Sequence, residues 1–509
     1  MLTQTQIKIK MKTKLSIILL IISFTVTAQN FNIAGGIVTI KGNSFMTLEG
    51  DFNNQGTVAL NSGSSIIVKG LSTGDVTYNR SLETTNWHLV SSPVQGQQYD
   101  NNYVATNELD SNGSNKAISS YVSSDNSWDY LQENETKTFD LGIGLSMKKG
   151  SAAGDISFTG TINVSDAGVA VALSDGNNLI GNPYPSYIPA NVSSDGVHNI
   201  LDVNEDSLLE KTLYFWDQSV NAGAGEYIEI NQTSNAMFIS PAQGFFVKHD
   251  NTKSSNTFTF NEAMQSHSNS GDTFLKGATR TEVNLTITDG VSSNSTDIYY
   301  IEQTTPGFDN GYDSTLFYNG GTDFGIYTHL VADSVGDDYG IQSLPNNNYE
   351  NMIVPVGVNA VSNSEIVISA TAVNLPSGIN IYLEDKNNNS FTLLDNTSTY
   401  TTTLSKDLNG IGRFYVHTTS GVLSTDDLIS NNNFSIYTSS IDNLRILGVH
   451  TGAANVCMYD ILGKEVLRYS FEGNSVNDIA LPNLKKGVYI VQLSTETGII
   501  NKKISLQKQ

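Results

Sequence analysis

Residues 283–288, Val283-Asn284-Leu285-Thr286-Ile287-Thr288, alternate apolar and polar side chains without interruption. Successive side chains of an extended strand point to opposite faces, so this alternation predicts a strand with one buried and one polar face. Similar short runs recur at 365–369 and 413–417, separated by turns such as the Asn-rich segment 385–389. Half-buried strands at regular spacing are typical of a β-sandwich, which we expect over residues 281–422.

The composition indicates the same class for the whole chain of 509 residues. Charged residues make up only 15%, while 20 Phe and 23 Tyr accompany abundant Asn, Ser, Thr and Gly, a mixture that favours strands joined by polar turns. Residues 29–75 carry short alternating strands at about ten-residue spacing, which fits a short β-solenoid or a meander, and residues 76–265 carry short aromatic-rich strands. Polar stretches at 266–280 and 423–435 predict linkers. The predicted fold class is all-β, with several β-sandwich or meander domains in series.

The net charge limits the expected partners of the protein, and the cysteine content limits its covalent cross-links. The formal net charge is −23, and removal of Lys8, Lys10, Lys12 and Lys14 with the N-terminal region makes it −27. Nucleic acid is therefore not an expected partner, because nucleic-acid binding needs a basic surface. Cys457 is the single cysteine, so no intrachain disulfide can form and packing must supply the stability.

The N-terminus has the pattern of a signal peptide, which we place at residues 1–28. Two lysines precede an apolar run at residues 15–22, and this run is too short to span a membrane. Small residues near the end of the segment predict cleavage between Ala28 and Gln29. The protein is therefore expected to leave the cytoplasm.

Three motifs follow one another between residues 436 and 509. The first, residues 456–466, reads as a strand, an Asp-x-x-Gly-Lys turn and a returning strand, in which Asp460 can cap the turn and Gly463 can take a positive φ. The other residues of interest are Lys464 in the first motif, Gly487 and Tyr489 in the second motif at 484–491, and Lys502 and Lys503 in a basic terminal strand.

In order and spacing, these motifs resemble the type A C-terminal sorting domain of the type IX secretion system of Bacteroidota. The resemblance implies a small immunoglobulin-like β-sandwich over 436–509, with the secretion machinery as its partner. It also implies export through the periplasm to the outer-membrane surface or the medium, with loss of this domain near the 423–435 linker. The family usually opens with a Pro-Asn-Pro turn, and this chain has Phe434–Ser440 there instead.

Aspartates are concentrated between residues 309 and 338, with glycines between them. Hard cations such as Ca²⁺ prefer oxygen ligands that converge from tight turns, which makes Asp309, Asp313, Asp333 and Asp337 the candidate metal ligands. Acidic clusters of this kind are more often solvated loops. A structural calcium ion is the alternative, and no other cofactor is expected, since the seven histidines lack the spacing of a zinc site.

No sequence motif supplies a candidate catalytic residue. We therefore expect a non-enzymatic envelope or adhesin-like protein, secreted or attached to the cell surface. The alternative is an extracellular carbohydrate-binding or polysaccharide-processing protein with a glycan ligand. Trp87, Trp128 and Trp216 could stack on sugar rings if they are exposed, and a pair of catalytic carboxylates cannot be recognised from spacing along the chain.

Overall fold

The computed structural model describes residues 27–28, 30–218, 225–267, 280–317, 324–332, 337–395, 397–421 and 435–506, except 441–442, 448, 450–451, 461–462, 475, 483, 486 and 496–497. The predicted signal peptide up to residue 26, Gln29 and most of both predicted linkers lie outside these residues. Two compact units form, one from residues 1–377 and 400–412 and the other from residues 378–399 and 413–509. No helix in the described ranges is long and apolar enough to cross a membrane.

The first unit begins with a three-sided parallel β-solenoid. Its strands are β1 (Thr27–Ala28), β2 (Phe31–Ile33), β3 (Ile37–Ile40), β4 (Phe45–Leu48), β5 (Phe52–Asn54), β6 (Thr57–Asn61), β7 (Ser65–Val68), β8 (Ser72–Thr73) and β9 (Val76–Leu82). Three parallel sheets form, in the orders β1-β4-β7, β2-β5-β8 and β3-β6-β9. Pairing joins residues about 20 positions apart, such as Phe31 with Phe52, so one rung of the solenoid contains three short strands.

An aromatic-rich region follows the solenoid. Its elements are β10 (Trp87–Ser91), β11 (Gln98–Tyr99), α1 (Asn101–Thr106), β12 (Ser111–Asn112), β13 (Asn115–Val122), β14 (Ser127–Gln132), β15 (Lys137–Thr138), β16 (Gly144–Lys148), β17 (Gly154–Gly160), β18 (Val169–Ala172), β19 (Gly176–Gly181), β20 (Ile188–Pro189), α2 (Ile200–Val203), β21 (Thr212–Asp217), β22 (Glu226–Asn231), β23 (Phe238–Ile239), β24 (Gly244–His249) and β25 (Thr257–Phe260). The main sheets have the orders β10-β16-β13-β12, with β14 on β13, and β19-β24-β21-β22. Strand β17 pairs with β9 and so extends one side of the solenoid. Phe52 and Phe158 belong to one buried core, and Phe215 and Phe258 to a second.

A further series of strands occupies residues 281–419. They are β26 (Thr281–Thr288), β27 (Ser293–Ile301), β28 (Ser314–Thr315), β29 (Gly325–Thr328), β30 (Tyr339–Pro345), β31 (Ile353–Ala360), β32 (Glu365–Val373), β33 (Asn380–Asp385), β34 (Ser390–Leu394), β35 (Tyr400–Thr403) and β36 (Leu408–Thr419). One 3₁₀ turn, Glu262–Met264, precedes this series, and another, Tyr349–Asn351, lies within it. In the first unit the strand order is β31-β29-β30-β27-β26-β32-β35, and β27 pairs with β30 in parallel. The alternation in β26 buries Val283, Leu285 and Ile287 completely.

The second unit contains the hairpin of β33 and β34, the paired part of β36, and the C-terminal strands. The C-terminal strands are β37 (Ser435–Ser440), β38 (Asn443–Leu447), β39 (Ala453–Asp460), β40 (Glu465–Glu472), β41 (Val476–Ala480), β42 (Gly487–Thr495) and β43 (Gly498–Leu506). They form two sheets, β37-β38-β41 and β40-β39-β42-β43. Leu444 and Ile446 from the first sheet share a core with Met458 and Val491 from the second. The protein is all-β, as predicted, and its C-terminal part is a small two-sheet sandwich.

Candidate functional site

The hairpin turn between β39 and β40 is organised by Asp460. The Asp460 backbone N–H donates to the Lys464 carbonyl oxygen, and the Lys464 N–H donates to Asp460 Oδ1, both at 3.0 Å. The Gly463 N–H donates to the Asp460 carbonyl oxygen at 2.9 Å. Gly463 has a φ of +80°, a conformation that residues with a Cβ atom rarely adopt. The aspartate and glycine of the first motif therefore hold the two ends of this turn together.

The second and third motifs lie on neighbouring strands, β42 and β43. Tyr489 is buried, and its hydroxyl donates to the Lys485 carbonyl oxygen at 2.8 Å. Gly487 is exposed, and a Cβ atom at this position would meet only the Tyr489 ring at 3.9 Å. Lys502 and Lys503 are exposed on β43, an edge strand of its sheet. The tyrosine thus contributes to the core, whereas the two lysines are accessible to a partner.

The sorting motifs lie in a region whose charge differs from that of the rest of the chain. Residues 436–509 contain eight Lys or Arg and six Asp or Glu, a net charge of +2, whereas residues 29–435 contain 15 and 44, a net charge of −29. Arg445 and Arg468 form ion pairs with carboxylates. Among the described residues, Lys464, Lys502 and Lys503 have no carboxylate oxygen within 4.0 Å. These lysines can therefore contact an anionic surface without breaking an ion pair of the described fold.

The predicted calcium ligands fall into different environments. Asp309 Oδ2 accepts the Thr305 N–H at 2.5 Å, while Asp313 accepts the Asp309 N–H on Oδ2 and the Ser343 N–H on Oδ1, each at 2.6 Å. Burial raises the pKa of the Asp313 carboxyl to about 7. Asp337 is exposed, and Asp333 lies outside the described residues. In the described ranges, no group of three or more His, Cys, Asp or Glu side chains is arranged to hold a metal ion.

The three tryptophans are half-buried in the aromatic-rich region. Trp87, Trp128 and Trp216 each meet a neighbouring tyrosine ring edge to face, at interplanar angles of 63°, 70° and 65°. Trp128 also meets the fully buried Phe246 edge to face. Edge-to-face packing is the usual geometry of aromatic clusters, whereas a platform for sugar rings requires flat, exposed faces. These tryptophans therefore act as part of the packing in this region.

Sequence reasoning did not identify a cluster of buried polar side chains beside β21 and β24. Glu210 is 2% exposed, and its Oε1 lies 3.0 Å from Lys248 Nζ and accepts the Tyr214 hydroxyl at 2.5 Å. Glu210 Oε2 accepts the Thr315 N–H at 3.0 Å. The only signal in the sequence is a lysine inside the apolar strand of residues 244–249, and its partner precedes it by 38 positions.

Glu229 on β22 belongs to the same face as this cluster. Its side chain is half-buried, and its Oε1 atom is shielded from solvent without a hydrogen-bond partner in the described structure. Burial, followed by the nearby Glu226 carboxylate, raises the pKa of Glu229 to about 8. A carboxyl group with a pKa this high can hold a proton at neutral pH.

Two family models match the chain, and the boundary between the two matches falls near the second predicted linker. A family model described as "Domain of unknown function (DUF8693)" matches residues 2–417, which is more than half of the chain. The chain belongs to this family. The DUF8693 region includes the solenoid, the aromatic-rich region and the strands up to residue 417, and its description carries no activity.

A second model, described as "Secretion system C-terminal sorting domain", matches residues 430–507. The predicted resemblance to a type IX secretion sorting domain is thus confirmed, and with it the origin of the protein in Bacteroidota. The match begins six residues before the predicted start at 436. The protein is exported to the cell surface or the extracellular space by the type IX machinery. No curated protein matches the chain.

Proposed function

We propose that the DUF8693 region is a non-enzymatic, adhesin-like component of the bacterial envelope, delivered to the surface by its sorting domain. The observation that carries this proposal is that two of its buried carboxyl groups, those of Glu210 and Asp313, are used in folding contacts. Glu210 is held by Lys248 and Tyr214, and Asp313 is held by two backbone amides. Groups occupied in this way stabilise a rigid β-structure, which is what a display or adhesion protein requires.

We also propose two processing events. A signal peptidase cleaves between Ala28 and Gln29, as the residues around this bond predict. A second protease removes the sorting domain within residues 423–435, where the polar composition is typical of an accessible cleavage site. The mature protein is then the part of the DUF8693 region from residue 29 onward, with a short C-terminal extension.

The sorting step can be tested in the turn that Asp460 organises. Asp460→Ala removes the acceptor for the Lys464 N–H, whereas Asp460→Asn keeps a side-chain oxygen at that position. We expect Asp460→Ala to lower the amount of protein at the cell surface and to accumulate a folded passenger in the periplasm, while Asp460→Asn reaches the surface nearly as well as the wild type. Deletion of residues 436–509 should abolish surface delivery. Normal surface levels of the deletion variant would contradict the proposal.

The role of the exported region can be tested with cells that lack the gene. Adhesion to surfaces and to other cells should fall, and complementation with the full chain should restore it. The purified protein should leave a panel of polysaccharides intact. Release of sugar products, or saturable binding to one class of glycan on an array, would instead favour the carbohydrate-binding or polysaccharide-processing function. The variant Trp128→Phe keeps an aromatic ring in the packed cluster with Tyr121 and Phe246. It serves in the adhesion and glycan assays as the control for correct folding.

A further inference from the structure

The first rung of the β-solenoid has an incompletely covered core. Phe31 and Val38 are half-buried, whereas the residues that pair with them in the second rung, Phe52 and Val58, are 0% and 2% exposed. The four side chains follow the same inward pattern. The difference therefore reflects position, because among the described residues the second rung is covered on both sides, whereas the first rung is covered by the second on one side and only by β1 on the other.

The backbone edges at this end of the solenoid are also open. In the part of the chain that the structure describes, β2 and β3 are the first strands of their sheets, and only β1, two residues long, precedes β4 in the third sheet. The proposed cleavage after Ala28 would remove β1 and expose the edge of β4 as well. The opposite end is different, because the Ile66 N–H donates to the Pro185 carbonyl oxygen at 2.8 Å and β17 pairs with β9.

Side-chain ladders run along the solenoid and stop at its first rung. Thr73 Oγ1 donates to Asn53 Oδ1 at 2.7 Å, and Asn53 Nδ2 donates to Asn32 Oδ1 at 2.9 Å. The amide nitrogen of Asn32 has no partner among the described residues. The ring of Phe31 stacks on Phe52, with centroids 6.2 Å apart, and no other ring in the described ranges continues this stack. Both ladders could therefore accept one more rung.

The charge of this end favours contact with an identical surface. Residues 30–48 contain one charged side chain, Lys41, within a region whose net charge is −29. Two copies of so acidic a protein repel one another through most of their surfaces. Natural edge strands are usually protected by charges or proline, and β3 and β2 contain neither. Self-association through this stretch therefore meets little charge repulsion, and the backbone edges there are available for pairing.

We propose that the first rung of the solenoid is a dimer interface, occupied by the first rung of a second copy of this chain. A twofold axis would pair β3 antiparallel with the partner's β3 and double the four-stranded sheet β17-β9-β6-β3. Such an isologous contact needs only one self-complementary surface. The exposure of the β4 edge rests on the proposed signal cleavage, whereas the edge of β3 is already unpaired among the described strands.

The first test is sedimentation velocity of the exported protein, with both of its ends read by mass spectrometry. We expect a concentration-dependent dimer in the low micromolar range. Ile37→Lys, at a side chain that is 60% exposed on β3, should weaken the dimer at least tenfold. Val361→Lys, at a side chain that is 59% exposed elsewhere in the same unit, should leave it unchanged. Unchanged thermal unfolding of both variants would show that they fold.

A second test does not depend on disrupting the surface. The native Cys457 is buried and should not react with the cross-linker. A cysteine placed at the exposed Thr39 should therefore be cross-linked between two copies by a short bis-maleimide. A cysteine at Val291, which is 78% exposed, should not be cross-linked. A monomer at all concentrations, equal loss of dimer in both lysine variants, or growth into long fibres would overturn the proposal. An N-terminus other than Gln29 in a protein that still dimerises through Ile37 would contradict the processing event alone.

Discussion

Replacement of Glu229 by glutamine should remove a pH dependence of stability that burial of this carboxyl group creates. Burial and the neighbouring Glu226 raise the pKa of Glu229 from an ordinary 4.5 to about 8. The folded protein therefore keeps the proton over a pH range in which the unfolded chain loses it. Stability from this group is fully present below pH 4.5 and is lost as the pH rises towards 8.

The size of the effect follows from the shift. One pKa unit corresponds to about 1.4 kcal/mol, and integration between pH 5 and pH 8 gives a loss of about 3.5 kcal/mol in the free energy of unfolding. This value is an upper bound, because the side chain is half-buried and water weakens its interactions with nearby charges. Glutamine has a similar shape and no charge at either pH. The variant should therefore gain stability relative to the wild type as the pH rises.

The assay is urea unfolding at pH 5 and pH 8, followed by tryptophan fluorescence, since all three tryptophans lie in the region that contains Glu229. We expect similar midpoints for Glu229→Gln and the wild type at pH 5, and a higher midpoint for the variant at pH 8. Glu302→Gln, at an exposed glutamate, serves as the control and should change neither. Parallel pH profiles for Glu229→Gln and the wild type would refute the argument that this carboxyl group is protonated in the fold.

Three further predictions concern other charged groups. Arg413→Ala should destabilise the second unit by about 3–5 kcal/mol, because it leaves the fully buried Asp385 carboxylate without its bidentate partner, whereas Arg445→Ala, at an exposed pair, should have little effect. Urea unfolding of these variants is followed by far-UV circular dichroism, because the three tryptophans lie in the first unit. Burial lowers the pKa of His267 to about 4. With allowance for partial exposure, the free energy of unfolding of the wild type should therefore fall by about 2 kcal/mol between pH 6.5 and pH 4. His267→Gln should not show this loss when stability is measured across an acid titration. A chelator should leave the melting temperature unchanged, because backbone amides donate to the Asp309 and Asp313 carboxylates and His329 Nε2 lies 2.6 Å from Asp338 Oδ1; a fall in melting temperature would indicate a structural calcium ion.

Local sequence patterns were sufficient for features that depend on neighbouring residues. The alternation around Val283 places every second side chain in the core, because the period of a strand is a property of the extended backbone itself. The Asn-rich segment 385–389 joins a hairpin, and the Asn387 N–H donates to Asp385 Oδ1 at 2.9 Å. The turn at Asp460 and Gly463 is local in the same sense, and its resemblance to a sorting motif agrees with the family match.

Local patterns carried less information about sites. The four aspartates chosen as metal ligands share a stretch of sequence, yet the orientation of Asp313 depends on the Ser343 N–H, 30 positions away. Glu229 is an ordinary glutamate in the sequence, and only the packing around it raises its pKa. The ion pair of Glu210 and Lys248 likewise joins a residue that precedes β21 to strand β24, and no short motif connects the two.

The sequence by itself determined that this protein is all-β, acidic and carries a C-terminal sorting domain, because side-chain alternation, composition and short motifs are local properties. Only the tertiary structure decided that the first strands form a parallel solenoid, since parallel and antiparallel strands share the same two-residue period and differ in which distant residues pair. It also decided the parallel pairing of β27 with β30 and the unequal burial of Phe31 and Phe52. These features depend on which segments meet in space, and burial and hydrogen bonding across many residues select those partners.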